Sequence, residues 1–340
     1  VVLSAYAKVR VRPVALLHDF VVHFEARPDI VRGMSSLDLA YMASSLARLK
    51  AGSPKMFASI ADAALKGSVY QLAAKQAIFL LHSFSQVSCA NEALFEALAR
   101  PLHEALTGKA LRGGTRPSRS DWVVMVGAFV NAGLHDASKE VSGLCTDAVA
   151  HCCGTSPYQG DLVDVPEDTM RPSTMPPQLS AKDTSMLLRA LSLAPELGSS
   201  QGVEVLLAVV LERHATFSVT ELLVSLRAAM LLHGFGDDRR QTLVQPRQYN
   251  AMVALFTDEL CTGRLSDLAL IDLMTASDVL ARTGHAGPEA WSSIAAQLGR
   301  HIHASQAGEG AGDDSGDQTD ADVDTGEASS SLAHCVAMVL

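Results

Sequence analysis

Aromatic residues make up only 5% of this 340-residue sequence, with two Trp, while 48% of it is hydrophobic. Ala, Leu, Ser and Val dominate the composition, a mixture that suits short, closely packed helices better than sheets. No stretch sustains the period-two alternation of a half-buried strand. The longest apolar runs, 122–130 and 205–211, fall far short of the roughly 20 residues a membrane-spanning helix needs, so no membrane span is expected. Cysteine is sparse: Cys89, Cys145, Cys152, Cys153, Cys261 and Cys335 are scattered, mostly on apolar helix faces. That distribution reads as reduced core thiols rather than a disulfide framework.

Positive charge is also lacking. The formal net charge is −10, but eight negatives (Glu309, Asp313, Asp314, Asp317, Asp320, Asp322, Asp324, Glu327) lie in one stretch without Lys or Arg, so the remainder carries a net −2. A nearly neutral folded part does not announce a phosphate-binding protein by composition alone, which leaves local basic patches as the question. Residues 307–331 have too little apolar surface to offset chain entropy and are expected to be disordered. Residues 332–340 turn apolar again and read as the start of a further, truncated helix.

The signatures of catalysis are missing as well. Gly198-Ser199-Ser200-Gln201-Gly202 matches G-x-S-x-G, yet a nucleophile elbow needs a strand running into the turn, and here a helix precedes it. An inter-helix turn is the expectation. His151-Cys152-Cys153 and His301-Ile302-His303 lack the paired spacing that aims four ligands at one zinc ion, and each reads as a helix end. Thr107-Gly108-Lys109 has no upstream glycine to make a phosphate loop. The expectation is a non-enzyme without cofactor or metal.

What is present is a repeated phrase: an amphipathic helix, a small-residue turn with a polar or basic residue, then a second helix opening on Phe or another apolar residue. Asp38–Leu49, the turn 50–54 and Met56–Ala61 are answered 38 residues on by Ala77–Leu81, Phe84, Gln86-Val87 and Leu94–Ala99. Leu39, Met42, Ala43 and Leu46 set an apolar stripe at i, i+3, i+4 and i+7. Such a repeat implies an all-α protein, an α-solenoid of about seven helix-turn-helix units of roughly 38–49 residues. A polar residue closing each first helix marks the units: Lys8, Arg48, Gln86, Asn131, Ser192, His233 and Arg282.

The first unit is partial, with its second helix over 13–24. The fourth opens on Ser120 as N-cap, followed by Asp121, and its second helix covers 137–149. The fifth starts near Ser180 and resumes over 201–211, the sixth pairs 218–232 with 249–260, and the seventh pairs 266–280 with 288–298. The solenoid therefore covers 1–306, with loop insertions near 107–119, 154–178 and 237–247. Val1 to Lys8 reads as the interior of a first helix, so further sequence upstream, including any targeting segment, is expected.

Two groups of residues are candidates for binding. In the insertion, Lys109, Arg112, Arg116 and Arg119 surround Gly113-Gly114, and their cationic groups suit phosphate oxygens; the other reading is a solvated loop. In the marker series, Lys8, Arg48 with Lys50, Gln86, Asn131, Ser192, His233 and Arg282 would form a ladder along one edge. Such a ladder either meets successive nucleotides or satisfies carbonyls and the dipole at helix C-termini.

The stretches Leu46-Ala47-Arg48-Leu49, Ala51-Gly52-Ser53-Pro54-Lys55-Met56-Phe57 and Asn91-Glu92-Ala93-Leu94-Phe95-Glu96-Ala97-Leu98-Ala99 resemble the organellar helical repeats of octotricopeptide and heptatricopeptide type. They are similar to the helical region of FAST-kinase-like and RAP-domain proteins, and to the repeat subunit of the mitochondrial RNA-editing substrate-binding complex. The resemblance covers most of 1–300. It implies a mitochondrial, or alternatively plastid, protein that binds single-stranded RNA among the proteins of an organellar ribonucleoprotein complex and serves RNA processing, stability, editing or ribosome assembly without catalysis. A RAP domain, which often accompanies such repeats, is not among these residues, and low-complexity insertions such as 307–331 are frequent in protist proteins. The alternative is a protein-protein scaffold of the same shape, for example a structural subunit of a mitoribosome or respiratory assembly.

Overall fold

A computed structural model describes residues 2–67, 72–109, 116–155, 179–234, 242–261, 268–284 and 287–309. The regular structure there is all helical: α1 (Val2–Val9), α2 (Val14–Ala26), α3 (Pro28–Arg32), α4 (Ser36–Leu49), α5 (Pro54–Lys66), α6 (Ala74–Gln86), α7 (Glu92–Leu106) and α8 (Arg119–Asn131) come first. They are followed by α9 (Lys139–Cys153), α10 (Ala181–Leu193), α11 (Ser200–Arg213), α12 (Val219–Leu232), α13 (Pro246–Cys261), α14 (Leu270–Thr283) and α15 (Pro288–Glu309). Single 3₁₀ turns lie at Pro195–Leu197 and His214–Thr216. Among the described residues no helix is long and apolar enough to cross a membrane.

The chain divides into two compact units, Val1–Leu206 and Leu207–Leu340. In the first unit the helices from α3 to α10 pack on the helix two along, while α1 packs on α4 and α2 on α3 and α5. One row runs α1, α4, α6, α8, α10 and the other α3, α5, α7, α9, with α4–α5, α6–α7 and α8–α9 joined as hairpins. Contacts between successive helices of the first row fix their directions. Lys75 Nζ of α6 lies 3.5 Å from the Asp121 carboxylate of α8, and Ser120 Oγ donates to Asp183 of α10 at 2.5 Å, so these helices start side by side. Arg12 Nη2, just after α1, donates to the Lys50 carbonyl at the end of α4 at 2.8 Å. His135 Nε2, after α8, donates to Glu196, after α10, at 2.6 Å. The helices of this row are therefore parallel, and their C-terminal ends share one edge. In the second unit α12 packs on α13 and α14, and α15 on α13 and α14.

The apolar stripe is the reason for the rows. Leu39, Met42, Ala43 and Leu46 are all buried, as their spacing demands. Phe57 of α5 meets Phe84 of α6 edge-on, ring centres 5.0 Å apart, and Phe95 of α7 meets Phe129 of α8 in the same way at 5.1 Å. Such pairs add about 0.5–1.5 kcal/mol beyond the area they bury, and they join the second helix of one hairpin to the first of the next.

Caps set where each first helix begins. Ser35, Ser118, Ser180 and Ser218 each accept from the backbone N–H three residues on, of Asp38, Asp121, Asp183 and Glu221. Ala73 and Ala269 hold the same place before α6 and α14. The expected N-cap Ser120 is a correction: Ser118 caps α8, because Asp121 returns a bond to the Ser118 N–H at 2.8 Å, and Ser120 is already inside the first turn. Other boundaries move too. The helix expected over 13–24 runs to Ala26, where Pro28 starts the extra helix α3 at its first position. Helix α9 covers 139–153 rather than 137–149, and α15 continues past 306 to Glu309. The bulk of the three insertions (110–115, 156–178, 237–241), the unit-seven start at Ser266 and the segments 310–331 and 332–340 lie outside the described residues.

Candidate nucleic-acid interface

The ends of α1, α4, α6 and α8 share a backbone motif that α7 and α9 also carry. The N–H of Val11, Ala51, Cys89 and Leu134 reaches back five residues to the carbonyls of Tyr6, Leu46, Phe84 and Phe129 at 3.0–3.2 Å. This six-to-one closure requires a left-handed residue just before the donor. Gly133 takes that place after α8, but after α1, α4 and α6 it is Arg10, Lys50 and Ser88, with φ of 55°, 49° and 53°. A side chain in this region costs about 1–2 kcal/mol that Gly avoids, so Arg10 and Lys50 are basic residues held where the backbone prefers none.

These ends gather cations. Lys8, Arg10, Arg12, Arg48 and Lys50 are all exposed at the adjoining ends of α1 and α4, tied by the bond from Arg12 to the Lys50 carbonyl. No carboxylate pairs with any of the five among the described residues. Sequence reasoning found Lys8, Arg48 and Lys50 but missed Arg10 and Arg12. The signal was the alternation Lys8-Val9-Arg10-Val11-Arg12, whose basic residues lie beyond the one-residue-per-unit ladder.

At the later helix ends the charge falls away. Gln86 and Asn131 are exposed at the ends of α6 and α8, with Gln86 Nε2 2.9 Å from His82 Nε2. Counting from the N-caps, Arg48, Gln86, Asn131 and Arg282 each stand thirteen residues on, and the same count gives Leu193 on α10 and Leu231 on α12. The marker Ser192 is therefore one residue out of register, a turn of about 100°: it is buried, donating to the Arg189 carbonyl at 2.7 Å, while Leu193 is exposed. His233 is two residues out. It is half-buried as the C-cap of α12, donates through Nδ1 to the Val244 carbonyl at 2.8 Å, and stacks on Tyr249 at 4.8 Å. Arg282 is exposed on α14 but its Nε sits 2.9 and 3.0 Å from both carboxylate oxygens of Asp278, one turn back.

The insertion candidates divide. Lys109 and Arg116 are exposed, Arg112 lies outside the described residues, and Arg119 is half-buried as the first residue of α8. Burial lowers the proton affinity of Arg119, and the neighbouring Cys152 and Cys153 oppose that. Arg116 and Arg119 both face His151, whose pKa falls below 6.5 through burial first and then through these two charges. His151, Cys152 and Cys153 form the last turn of α9, so the expected helix end is what the fold makes of them. Burial pushes Cys145 and Cys153 up to about 12 and Cys152 higher still. The five cysteines among the described residues are free thiols.

Gly198 follows the 3₁₀ turn, and Ser199 accepts from the Gly202 N–H at 3.0 Å as α11 begins. The G-x-S-x-G stretch is thus a turn between helices. Among the described residues no three His, Cys, Asp or Glu converge as a metal site. In the second unit an open groove of about 410 Å³ between α13 and α15 carries Asp258 and Glu289, a field of the wrong sign for phosphate. No family model matches the chain, and no curated protein matches it.

Proposed function

We propose that the chain is a non-catalytic α-solenoid that holds single-stranded RNA along the edge where the first helices end. The observation that carries this reading is the group of cations Lys8, Arg10, Arg12, Arg48 and Lys50 on two neighbouring helix ends, with no carboxylate partner among the described residues. Two of them stand in the left-handed conformation that Gly would adopt without strain, and strain of this kind gathers at binding sites. Stacked rows of hairpins support the solenoid, and the repeat resemblance supports action in mitochondrial RNA processing, stability, editing or ribosome assembly.

The test is anisotropy of a labelled single-stranded RNA titrated with the full chain over a range of salt. Arg10→Gly and Lys50→Gly remove charge while easing the backbone, and Arg48→Gln completes the set. Affinity of the triple variant falls, and the slope of log K against log salt shrinks by about 0.7 for each phosphate that is no longer neutralised. No retention of RNA at low salt, or an unchanged slope, overturns the reading.

A second reading, a protein-binding scaffold, draws on the apolar exposure of α1 and α2, where Val9 and Val14 are 66% and 67% exposed. Stoichiometric protein partners recovered after ribonuclease treatment would favour it over RNA.

A further inference from the structure

Beside the cationic edge lies a face with a different chemistry. On α4, α6, α8 and α10 the positions two, six, nine and thirteen after the N-cap fall on one side of the helix, and none of them is buried. The sixth position is apolar in each: Tyr41, Phe79, Val124 and Met186. Tyr41 and Phe79 are 56% and 41% exposed, although both are aromatic in a chain with few aromatics. Single exposed apolar residues are ordinary. Two at the same register on neighbouring helices are a pattern, because adjoining helices hold equivalent residues about 8–10 Å apart.

Charge on this face has one sign. Within the first unit the four positions hold no Asp or Glu, and they include Arg48, Lys75, Lys182 and Arg189. His82, at the ninth position of α6, is pushed to lower proton affinity first by burial and then by the positive charge of Lys182 on α10. Of these cations Lys75 is paired, 3.5 Å from the largely buried Asp121, whereas on the second-helix row the carboxylates that face cations are themselves at the surface, as Asp62 faces Lys66 at 2.8 Å and Glu104 faces Arg100 at 3.1 Å. A protein helix would dock on a broad apolar stripe. Here the apolar row is one side chain per helix at the sixth position, joined only by Leu37 and Leu193 among the other positions, with Lys75 beside Phe79 and Lys182 and Arg189 beside Met186, which suits flat apolar rings strung on an anionic backbone.

We infer that Tyr41 and Phe79 are stacking platforms for two unpaired bases of the strand whose phosphates the cluster at Lys8, Arg10, Arg12, Arg48 and Lys50 holds. This rests on the RNA reading above. Tyr41 is seven residues from Arg48 on the same side of α4, about 10 Å along the axis, so one strand reaches both.

The test uses the full chain and three probes: a short oligouridine, the same strand with abasic riboses, and an RNA duplex. Tyr41→Ala and Phe79→Ala each weaken oligouridine binding about tenfold, Tyr41→Phe does not, and the wild type binds the abasic strand and the duplex more weakly than the intact strand. Tyr41→Trp gives an emission that the intact strand quenches. Equal binding of abasic and intact strands, unchanged affinity of the double Ala variant, or an unquenched Trp overturns the inference. If the Arg10, Arg48 and Lys50 variant still weakens binding in that case, the phosphate reading survives. No salt-dependent binding of any strand overturns both. A photocrosslinker at 79 that captures protein, and no RNA, also overturns the inference.

Discussion

Gly52 sits two residues past the left-handed Lys50, in the turn that presents the cationic edge, and its substitution by Ala reads directly on the packing beneath. A Cβ there would overlap Cε2 of Phe57, stand 2.8 Å from Cδ2 and 3.3 Å from Cζ. Phe57 is fully buried, and its ring is held edge-on by Phe84 at 5.0 Å, so the ring has no open side to retreat to. Overpacking of this kind destabilises by about 1–3 kcal/mol. Ala also restricts the unfolded chain, which favours folding by about 0.4–1 kcal/mol, and Gly52 is not at positive φ, so no backbone strain is added. The net expectation for Gly52→Ala is a loss of about 1–2 kcal/mol, read as a lower urea midpoint by circular dichroism. Phe57→Leu removes the ring atoms in the way. In the double variant the Ala substitution should therefore become neutral or favourable, a coupling of about 1 kcal/mol or more. If Gly52→Ala is as stable as the wild type, or if the two substitutions simply add, the packing argument fails.

Two further outcomes follow from the titrating groups. His82 has a folded-state pKa below 6.5, so the unfolded chain takes the proton first; stability from this group is full above 6.5 and is lost as pH falls through the folded value. His82→Asn should flatten the decline in urea midpoint between about pH 7.5 and 5 relative to the wild type, and an unchanged decline counts against the desolvated His82. Cys145 and Cys153, raised to about 12, and Cys152, raised by burial, lie beneath the fold while Cys261 is exposed. Alkylation mapped by mass spectrometry should mark Cys261 rapidly and these three only after unfolding; labelling of Cys152 or Cys153 in the native protein at the rate of Cys261 would contradict their burial.

Much of this architecture is legible in the sequence because hydrophobic period alone decides it. Leu39, Met42, Ala43 and Leu46 lie three and four apart, and that spacing can be buried only on a helix. The phase of the edge is not legible in the same way. Ser192 and His233 are polar and close a helix, but polarity at a helix end does not say which side the residue faces. The cap does, and the series Ser118, Ser180 and Ser218, each three residues before an acid, is present in the sequence. Ser120 competes with Ser118 because it too precedes Asp121, though at a distance that cannot close the reciprocal bond. Arg10 and Arg12 fall outside a ladder of one residue per unit, which leaves no room for a cluster. The αL conformation of Arg10 and Lys50 has no sequence signal at all, since Gly is what that conformation ordinarily selects.

In the first unit the two ends of the hairpins are unequal in length. Where α4 gives way to α5 the connection is 50–53, between α6 and α7 it is 87–91 and between α8 and α9 it is 132–138; where α5 gives way to α6 it is 67–73, between α7 and α8 it is 107–118 and between α9 and α10 it is 154–180. The longest connections thus depart from the side where these helices start, and the shortest lie on the side carrying Arg10, Arg48 and Lys50. A ligand passing from the end of α4 to the end of α6 on that side would meet connections of only four and five residues, 50–53 and 87–91.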